Sequence, residues 1–388
     1  MIKIPAKIEY VIDTLTKNGH DAYIVGGCVR DSLMGKTPND FDITTSALPE
    51  TVMGLFEKTV PTGIKHGTVT VIVEKTPIEV TTFRTESGYS DNRHPENVDF
   101  VSDIKEDLSR RDFTVNAIAY NHRDGIVDYF GGCKDIENRI LRAVGNPETR
   151  FLEDALRILR LVRFASTLEF TPEKETFSAA LMCAKNLETI SSERIFTELY
   201  KASGGKNFSV ISPLIEQGFL SFLKLENLPD FETIKKTDSS DLAFFTFLHF
   251  SSCDISRTLE LLKVSNKFKN YCLGLEEILN AKSVKTKVEL KRLLCNFEVD
   301  QIKDGLTLKS ILNNTSCKDA LNTLNEVLEN SEPYLISHLA ISGEDLKNKG
   351  FEGKEVGFCL KRLQQLVIED PSLNTPVKLT EKLSEISP

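Results

Sequence analysis

Asp40 and Asp42 flank Phe41 shortly after the run Gly26-Gly27-Cys28-Val29-Arg30-Asp31, and side chains of these types can hold a divalent cation against a phosphate group. Successive side chains of a strand point to opposite faces, so on a strand the two carboxylates share one face and Phe41 takes the other. Paired hard oxygens suit Mg²⁺, which binds through one or two carboxylates plus substrate phosphates and keeps several waters. A nucleoside triphosphate supplies such phosphates. The glycine pair offers backbone amides at a turn into a helix, where anions bind without side chains. Arg30 adds a planar cation that can grip a phosphate with two hydrogen bonds. A lone Asp-x-Asp usually caps a helix or faces solvent, and a lone Gly-Gly is equally uninformative. In the order strand, glycine turn, helix, acidic strand, the pattern points to chemistry instead: Asp40 and Asp42 as catalytic metal ligands, Gly27 and Arg30 as nucleotide-binding residues. Glu79 is a candidate third carboxylate, because a two-metal site benefits from a shared extra ligand; the alternative is a strand carboxylate facing water.

The elements that must position these groups are legible in the hydrophobic pattern. Residues 8–17 are expected to be helical, 22–25 a buried strand, 29–34 a helix, 41–44 a strand and 49–56 a helix. Two β-rich runs follow at 66–73 and 78–83. From about Thr149 apolar residues recur three and four apart and β-branched alternation disappears, so the remainder is expected to be helical. The fold class is therefore an α/β head with a small mixed sheet, followed by an all-α remainder. The segment from Leu225 to Asp241, with Pro229 and several charges, is the expected articulation of the helical part.

Composition narrows the function. At 388 residues more than one domain is expected. The first residues lack the apolar core of an export signal, no run approaches membrane-span length, and the eight cysteines form no Cys-x-x-Cys. A cytoplasmic protein with reduced thiols, no zinc site and no membrane contact is the expectation. A net charge of −9 argues against a protein that simply coats nucleic acid, although it allows a local basic track. Thirteen arginines lie in the first 200 residues, and only Arg257, Arg292 and Arg362 lie beyond. Planar recognition of phosphates and bases is thus concentrated in the first 200 residues, while lysine, a point charge, predominates beyond them.

Taken together, these motifs make the chain resemble the nucleotidyltransferases with a polymerase-beta-like head, in the class shared by bacterial tRNA CCA-adding enzymes and bacterial poly(A) polymerases. The resemblance continues through Ser109-Arg110-Arg111-Asp112-Phe113-Thr114-Val115-Asn116-Ala117, Asp128-Tyr129-Phe130-Gly131-Gly132, Glu153-Asp154-Ala155-Leu156-Arg157 and Ser192-Glu193-Arg194-Ile195-Phe196-Thr197-Glu198. It implies a catalytic head over 1–148, a base-reading neck over 149–205, and a tRNA-binding body and tail over 206–388. It also implies Mg²⁺ as cofactor, CTP and ATP as substrates and tRNA, held at its 3′ end and elbow, as partner; relatives of this build are often homodimers.

Arg111, expected with Asp112 and Asn116 at the start of a helix, is implied to contact the nucleotide's ribose and phosphates. Read as one amphipathic helix, the neck carries Glu153, Asp154, Arg157, Arg160 and Arg163 at spacings of three and four. An isolated helix of this kind is more often an ion-paired solvated face. In the family's context, Asp154 accepts from a base's exocyclic amine, Arg157 donates to its acceptor nitrogen, and Arg160 and Arg163 complete the pocket. The polar segment 84–95, with Arg93 and His94, resembles the flexible loop of enzymes that finish with A. The run Ile341-Ser342-Gly343-Glu344-Asp345-Leu346 resembles the tail element, where glycines serve packing or RNA contact. Four other functions are weighed: a poly(A) polymerase of the same fold, a CC-only or A-only specialist, a non-catalytic tRNA-binding protein and a Rossmann oxidoreductase. The last lacks Gly-x-Gly-x-x-Gly and its ribose-binding acid. A non-catalytic tRNA-binding protein on this scaffold is disfavoured because both aspartates are present.

Overall fold

The computed structural model of the chain describes residues 2–88, 97–225, 227–251, 253–281 and 284–386. By internal contacts it divides into two units, one comprising residues 1–235, 247–254 and 260–263, the other 236–246, 255–259 and 264–388.

The first unit opens with α1 (Ala6–Lys17), β1 (Ala22–Val25), α2 (Gly27–Leu33), β2 (Asp42–Thr45) and α3 (Pro49–Leu55). The strands β3 (Thr59–Gly63), β4 (Thr68–Val73), β5 (Thr76–Thr82), β6 (Arg84–Ser87) and β7 (Asn97–Phe100) follow, then α4 (Ile104–Ser109), β8 (Ala119–Asn121) and β9 (Gly125–Val127). Seven strands form one sheet in the order β3-β4-β5-β2-β1-β8-β9. The β2/β5 pair is parallel and its neighbours are antiparallel, a mixed sheet as expected. Strand alternation divides the core. Ala22 and Ile24 of β1 join Val11, Leu15, Ile43, Val69 and Val80 beneath α1 and α3, whereas Tyr23 and Val25 join Phe83, Ile104, Leu108 and Ala119 on the opposite side.

Three local readings of the sequence are corrected here. Asp40 and Phe41 lie before β2, which begins at Asp42. The last rung of the ladder is Val25 with Asp42, because β1 ends where Gly26 turns the chain away; Asp40 and Phe41 therefore have no strand to pair with. Arg111 and Asp112, expected at a helix start, lie instead in the link between α4 and a 3₁₀ turn at Thr114–Asn116. The backbone of Thr114 donates to Arg142 O and that of Val144 to Asp112 O, and this distant pairing holds the segment extended. The stem of the polar segment also departs from a loop: β6 and β7 form an antiparallel hairpin. Residues 89–96, including Arg93 and His94, lie outside the described residues.

Beyond the sheet the unit continues through α5 (Gly132–Asn138), β10 (Ile140–Leu141), α6 (Pro147–Glu153), α7 (Leu156–Leu168), β11 (Thr171–Pro172), α8 (Lys174–Cys183) and α9 (Ser192–Ser203), then α10 (Ser212–Glu216) and α11 (Phe231–Ile234). The neck is thus two helices rather than one. Asp154 breaks them with an extended backbone (φ −141°, ψ 102°), and its Oδ1 accepts from the Leu156 amide at 3.1 Å. Only after this break do Arg157, Arg160 and Arg163 follow one another on α7.

The helices α12 (Ser240–Phe250) and α13 (Ile255–Leu261) each contribute residues to both units. The second unit holds α14 (Asn266–Asn280), α15 (Lys287–Leu294), α16 (Val299–Asn313), α17 (Lys318–Glu329), α18 (Gly343–Asn348), α19 (Lys354–Glu369) and α20 (Pro376–Ile386). Ile278, Leu290, Ile302, Leu324 and Val327 form one of its cores, and Leu346, Cys359, Leu363, Leu379 and Leu383 another. Ser342 and Asp345 cap α18 reciprocally, and the α-carbon of Gly343 lies close under Val356, where an added Cβ would sit 3.4 Å from its side chain.

Candidate active site

The turn after β1 sets the geometry. Gly26 has φ +81° and ψ −129°, a conformation that side chains make strained. A Cβ there would stand 3.1 Å from Arg111 Nη1 and 3.7 Å from Asn116 O. The glycine thus lets the Arg111 guanidinium lie directly against the turn. Gly27 begins α2, and the Nη2 of Arg30, one turn along, lies 3.6 Å from where a Gly27 Cβ would be.

Asp40, Phe41 and Asp42 line a cleft of about 620 Å³ together with Lys7, Thr70 and Glu79. In the parallel pairing Ile43 faces Val80, so one step back Asp42 and Glu79 occupy neighbouring positions on one face. Among the described residues neither Asp40 nor Asp42 has an ion-pair partner, and no three acidic, His or Cys side chains are gathered into a finished metal cage. Asp42 keeps an open carboxylate but is enclosed by protein on its other sides. That desolvation raises its pKa above the ordinary value; the charge of Arg111 opposes the rise and that of Asp40 adds to it. Two close, unneutralised carboxylates of this kind are the donor set that a hard divalent cation needs, with substrate phosphate and water completing the shell.

The arginines do not line that cleft, although Arg111 stands near enough for its charge to act on Asp42; they are held in several polar clusters. Arg30 pairs with Asp31 at 2.7 Å and donates to Asn116 Oδ1 at 2.6 Å. Asn116 in turn donates to Asp112 Oδ1 at 3.0 Å, and Arg160 Nε reaches Asp112 Oδ2 at 2.8 Å. Burial alone would push the Asp112 carboxyl up, but the Arg160 charge and the bonds from Asn116 and the Phe113 amide outweigh it and hold it well below the usual range. Arg163 pairs with Glu198 at 2.5 Å. Arg111 pairs with the fully buried Asp107, which also accepts from Arg110 and from Thr44 of β2. Asp154 is held by Arg194 at 2.8 Å. Arg157 is buried, with its guanidinium on Glu153 and on the carbonyls of Arg150 and Arg110.

Comparison with known proteins shows the family. The Poly A polymerase head domain model matches residues 22–142, and the model described as the probable RNA and SrmB-binding site of polymerase A matches 169–226. A CCA-adding enzyme of Lactococcus lactis subsp. cremoris (strain MG1363) is 36% identical over 97% of this chain and 95% of its own length. One from Staphylococcus haemolyticus (strain JCSC1435) is 35% identical over 96% and 95%. The crystal structure of the Bacillus stearothermophilus CCA-adding enzyme in complex with CTP superposes with a TM-score of 0.84, at 30% identity, over 98% of this chain and 97% of that one. The chain belongs to the CCA-adding enzymes. It is a nucleotidyltransferase.

In this CCA-adding enzyme the sequence reading named most of the residues that the structure brings near one another, but not their partners. Arg30, Arg160 and Arg163 converge, Arg111 lies on the glycine turn, and Asp40 and Asp42 share a cleft. Asp154 and Arg157 are not paired with each other in this structure; each is committed to another side chain. Asp107, Phe164, Arg194 and Glu198 were missed as contributors. Asp107 had a signal, standing three and four residues before Arg110 and Arg111. Among the described residues no helix is long and apolar enough to cross a membrane.

Proposed function

We propose that the chain builds and repairs the 3′-terminal CCA of tRNA in the cytoplasm without a nucleic-acid template, using CTP twice and ATP once and releasing diphosphate each time. The observation that carries this reading is the pair of unneutralised carboxylates, Asp40 and Asp42, beside a glycine turn that bears Arg111 and Arg30, in a chain that aligns with CCA-adding enzymes over 97% of its length.

In each cycle the terminal 3′-hydroxyl oxygen of the RNA attacks the α-phosphorus, a new P–O bond forms and the bond to the diphosphate oxygen breaks. Asp40 and Asp42 would hold Mg²⁺, and Glu79 of the neighbouring strand lines the same cleft. When bound, Mg²⁺ lowers the pKa of the attacking hydroxyl and stabilises the departing diphosphate. Arg30 and the Gly27 amide bind the phosphates, and Arg111 binds phosphate and ribose. Asp154 and Arg157 read the base, and Arg160 and Arg163 close the pocket. Cytosine and adenine both carry an amino donor beside an acceptor nitrogen, which matches a carboxylate and a guanidinium offered together once Asp154 leaves Arg194 and Arg157 leaves Glu153. Uracil and guanine present a carbonyl where Asp154 requires a donor, so they are refused. The head works over 1–148, the neck over 149–205, and the helical remainder holds the tRNA.

The test is a gel assay with Mg²⁺ and tRNA transcripts ending before CCA, after C and after CC, each given CTP, ATP, UTP or GTP singly and CTP with ATP together. The bare transcript should gain three nucleotides only with CTP plus ATP, and Asp40→Ala should lower the rate by about 10³-fold or more, as loss of a group that stabilises transition-state charge does. Extension that stops at CC, acts only on CC ends or runs on with ATP alone would replace this reading with a CC-adding, A-adding or poly(A) enzyme.

A further inference from the structure

Phe164 on α7 is 6% exposed, and three guanidinium groups meet on its ring. The Cζ atoms of Arg163, Arg30 and Arg160 stand 4.0, 5.2 and 5.3 Å from its centroid. Phe113 meets the same ring in a T-shaped contact at 5.9 Å. A guanidinium within about 6 Å of an aromatic face is attracted by the ring quadrupole, and one significant contact of this kind per roughly 70–80 residues is ordinary. Three on a single ring is a concentration that apolar packing does not require.

The three cations come from two helices and each pairs with a different carboxylate, although Asn116 links Arg30 to the Asp112 that holds Arg160. Arg30 comes from α2 and bonds Asp31; Arg160 and Arg163 come from α7 and bond Asp112 and Glu198. Those carboxylates lie on α2, on the link after α4 and on α9. Each fixes one arginine, and like charges brought this close repel. Among the described residues the negative face of the Phe164 ring is what all three share. An aliphatic side chain could fill much of the volume but would offer no such face.

We infer that Phe164 is a positioning residue of the nucleotide site, its ring gathering Arg30, Arg160 and Arg163 into one cationic cradle for the triphosphate of the incoming nucleotide. The inference rests on the reading of those arginines as nucleotide ligands. It assigns the ring to affinity for the triphosphate, common to CTP and ATP, and leaves base choice to Asp154 and Arg157.

Replacing Phe164 in the full chain with 4-fluoro-, 3,5-difluoro- and 3,4,5-trifluorophenylalanine weakens the quadrupole stepwise at nearly constant volume. KM for CTP on a transcript lacking CCA, KM for ATP on one ending in CC, and binding of inorganic tripolyphosphate by calorimetry are measured across the series, together with thermal midpoints. Both KM values should rise stepwise, to about tenfold for the trifluoro ring, with tripolyphosphate affinity falling in parallel. The midpoint, kcat and the ratio of CTP to UTP incorporation should stay level, and Phe164→Tyr should remain close to the native protein. Constant KM across the series overturns the inference and leaves Phe164 a core residue. Arg160→Gln and Arg163→Gln separate the two failures. If they too leave KM unchanged, the arginines are not nucleotide ligands and the inference falls with that reading; if they raise KM while the fluorine series is flat, only the role of Phe164 falls.

Discussion

Asp112 is buried and still ionised, because Arg160, Asn116 and the Phe113 amide meet its two oxygens. Its pKa in the folded chain lies well below the value of about 3.9 expected when unfolded. A carboxyl depressed in this way contributes stability that is fully present above the unfolded pKa and is lost as pH falls toward the folded one. Asp112→Asn should therefore be less stable than the native chain at pH 7, by about 2 kcal/mol or more for a buried hydrogen-bonded charge pair. The deficit should narrow as pH falls below about 4, where the native unfolded state takes up a proton. Urea unfolding of both chains at pH 7 and under acid conditions measures it, and a deficit independent of pH would mean that Asp112 carries no charge in the fold. At this scale the sequence displayed residue types better than relationships. Asp40, Asp42, Arg30 and Arg111 could be picked out by type and motif, and short-range pairs such as Asp107 with Arg111 were available from spacing. The pairing of Asp112 with Arg160 spans 48 positions, and nothing local encodes it.

Elements were legible where a single period ran between clear stops. β1 occupies Ala22–Val25 as expected, because a buried apolar run ends at a glycine whose positive φ turns the chain out of the sheet. The neck was misread as one helix, since the apolar period passes through Asp154; the aspartate's own capping of the Leu156 amide marks the break. The link carrying Arg111 and Asp112 was misread for another reason. Its conformation depends on the bridge between Phe113 and Ala143, a partner thirty residues away. The contact between α5 and the 3₁₀ turn shows how tightly this link is held. Asp128 accepts from the Gly132 and Cys133 amides and so starts α5, and a Cβ on Gly132 would come within 2.2 Å of Thr114 O. Backbone cannot yield as a flexible side chain does, so Gly132→Ala should displace the turn that carries Asn116. A loss of about 2–3 kcal/mol is expected from such overpacking, with a higher KM for both nucleotides because Asn116 holds Arg30. Chemical denaturation and steady-state kinetics check it; native-like values in both would show that the turn has slack.

Along the whole molecule, the helical character after residue 149 was readable from periodicity, but the way the chain shares out its cores was not. The division between units falls at Lys235, inside the segment expected to articulate, yet the first unit is not finished there. Residues 247–254 and 260–263 return to it: the Phe247 ring packs edge-on against Phe208 at 5.2 Å, and Phe247 and Leu248 are fully buried. Sequence alone gives no sign of a contact between aromatic residues separated by nearly forty positions, since α12 is apolar on all sides and its faces cannot be assigned by pattern. The consequence concerns where the first unit can be cut. A fragment ending at Lys235 loses both side chains from its core, whereas one ending at Lys263 keeps them. Removing a buried Phe or Leu costs about 2–5 kcal/mol each, so the shorter fragment should be less stable by at least about 3 kcal/mol and should lose cooperative unfolding first. Urea denaturation followed by circular dichroism on the two fragments decides the matter. Equal midpoints would mean that the returning segments only lie on the surface of the first unit; a clear deficit in the shorter one would mean that the first unit cannot be released by a single cut at Lys235.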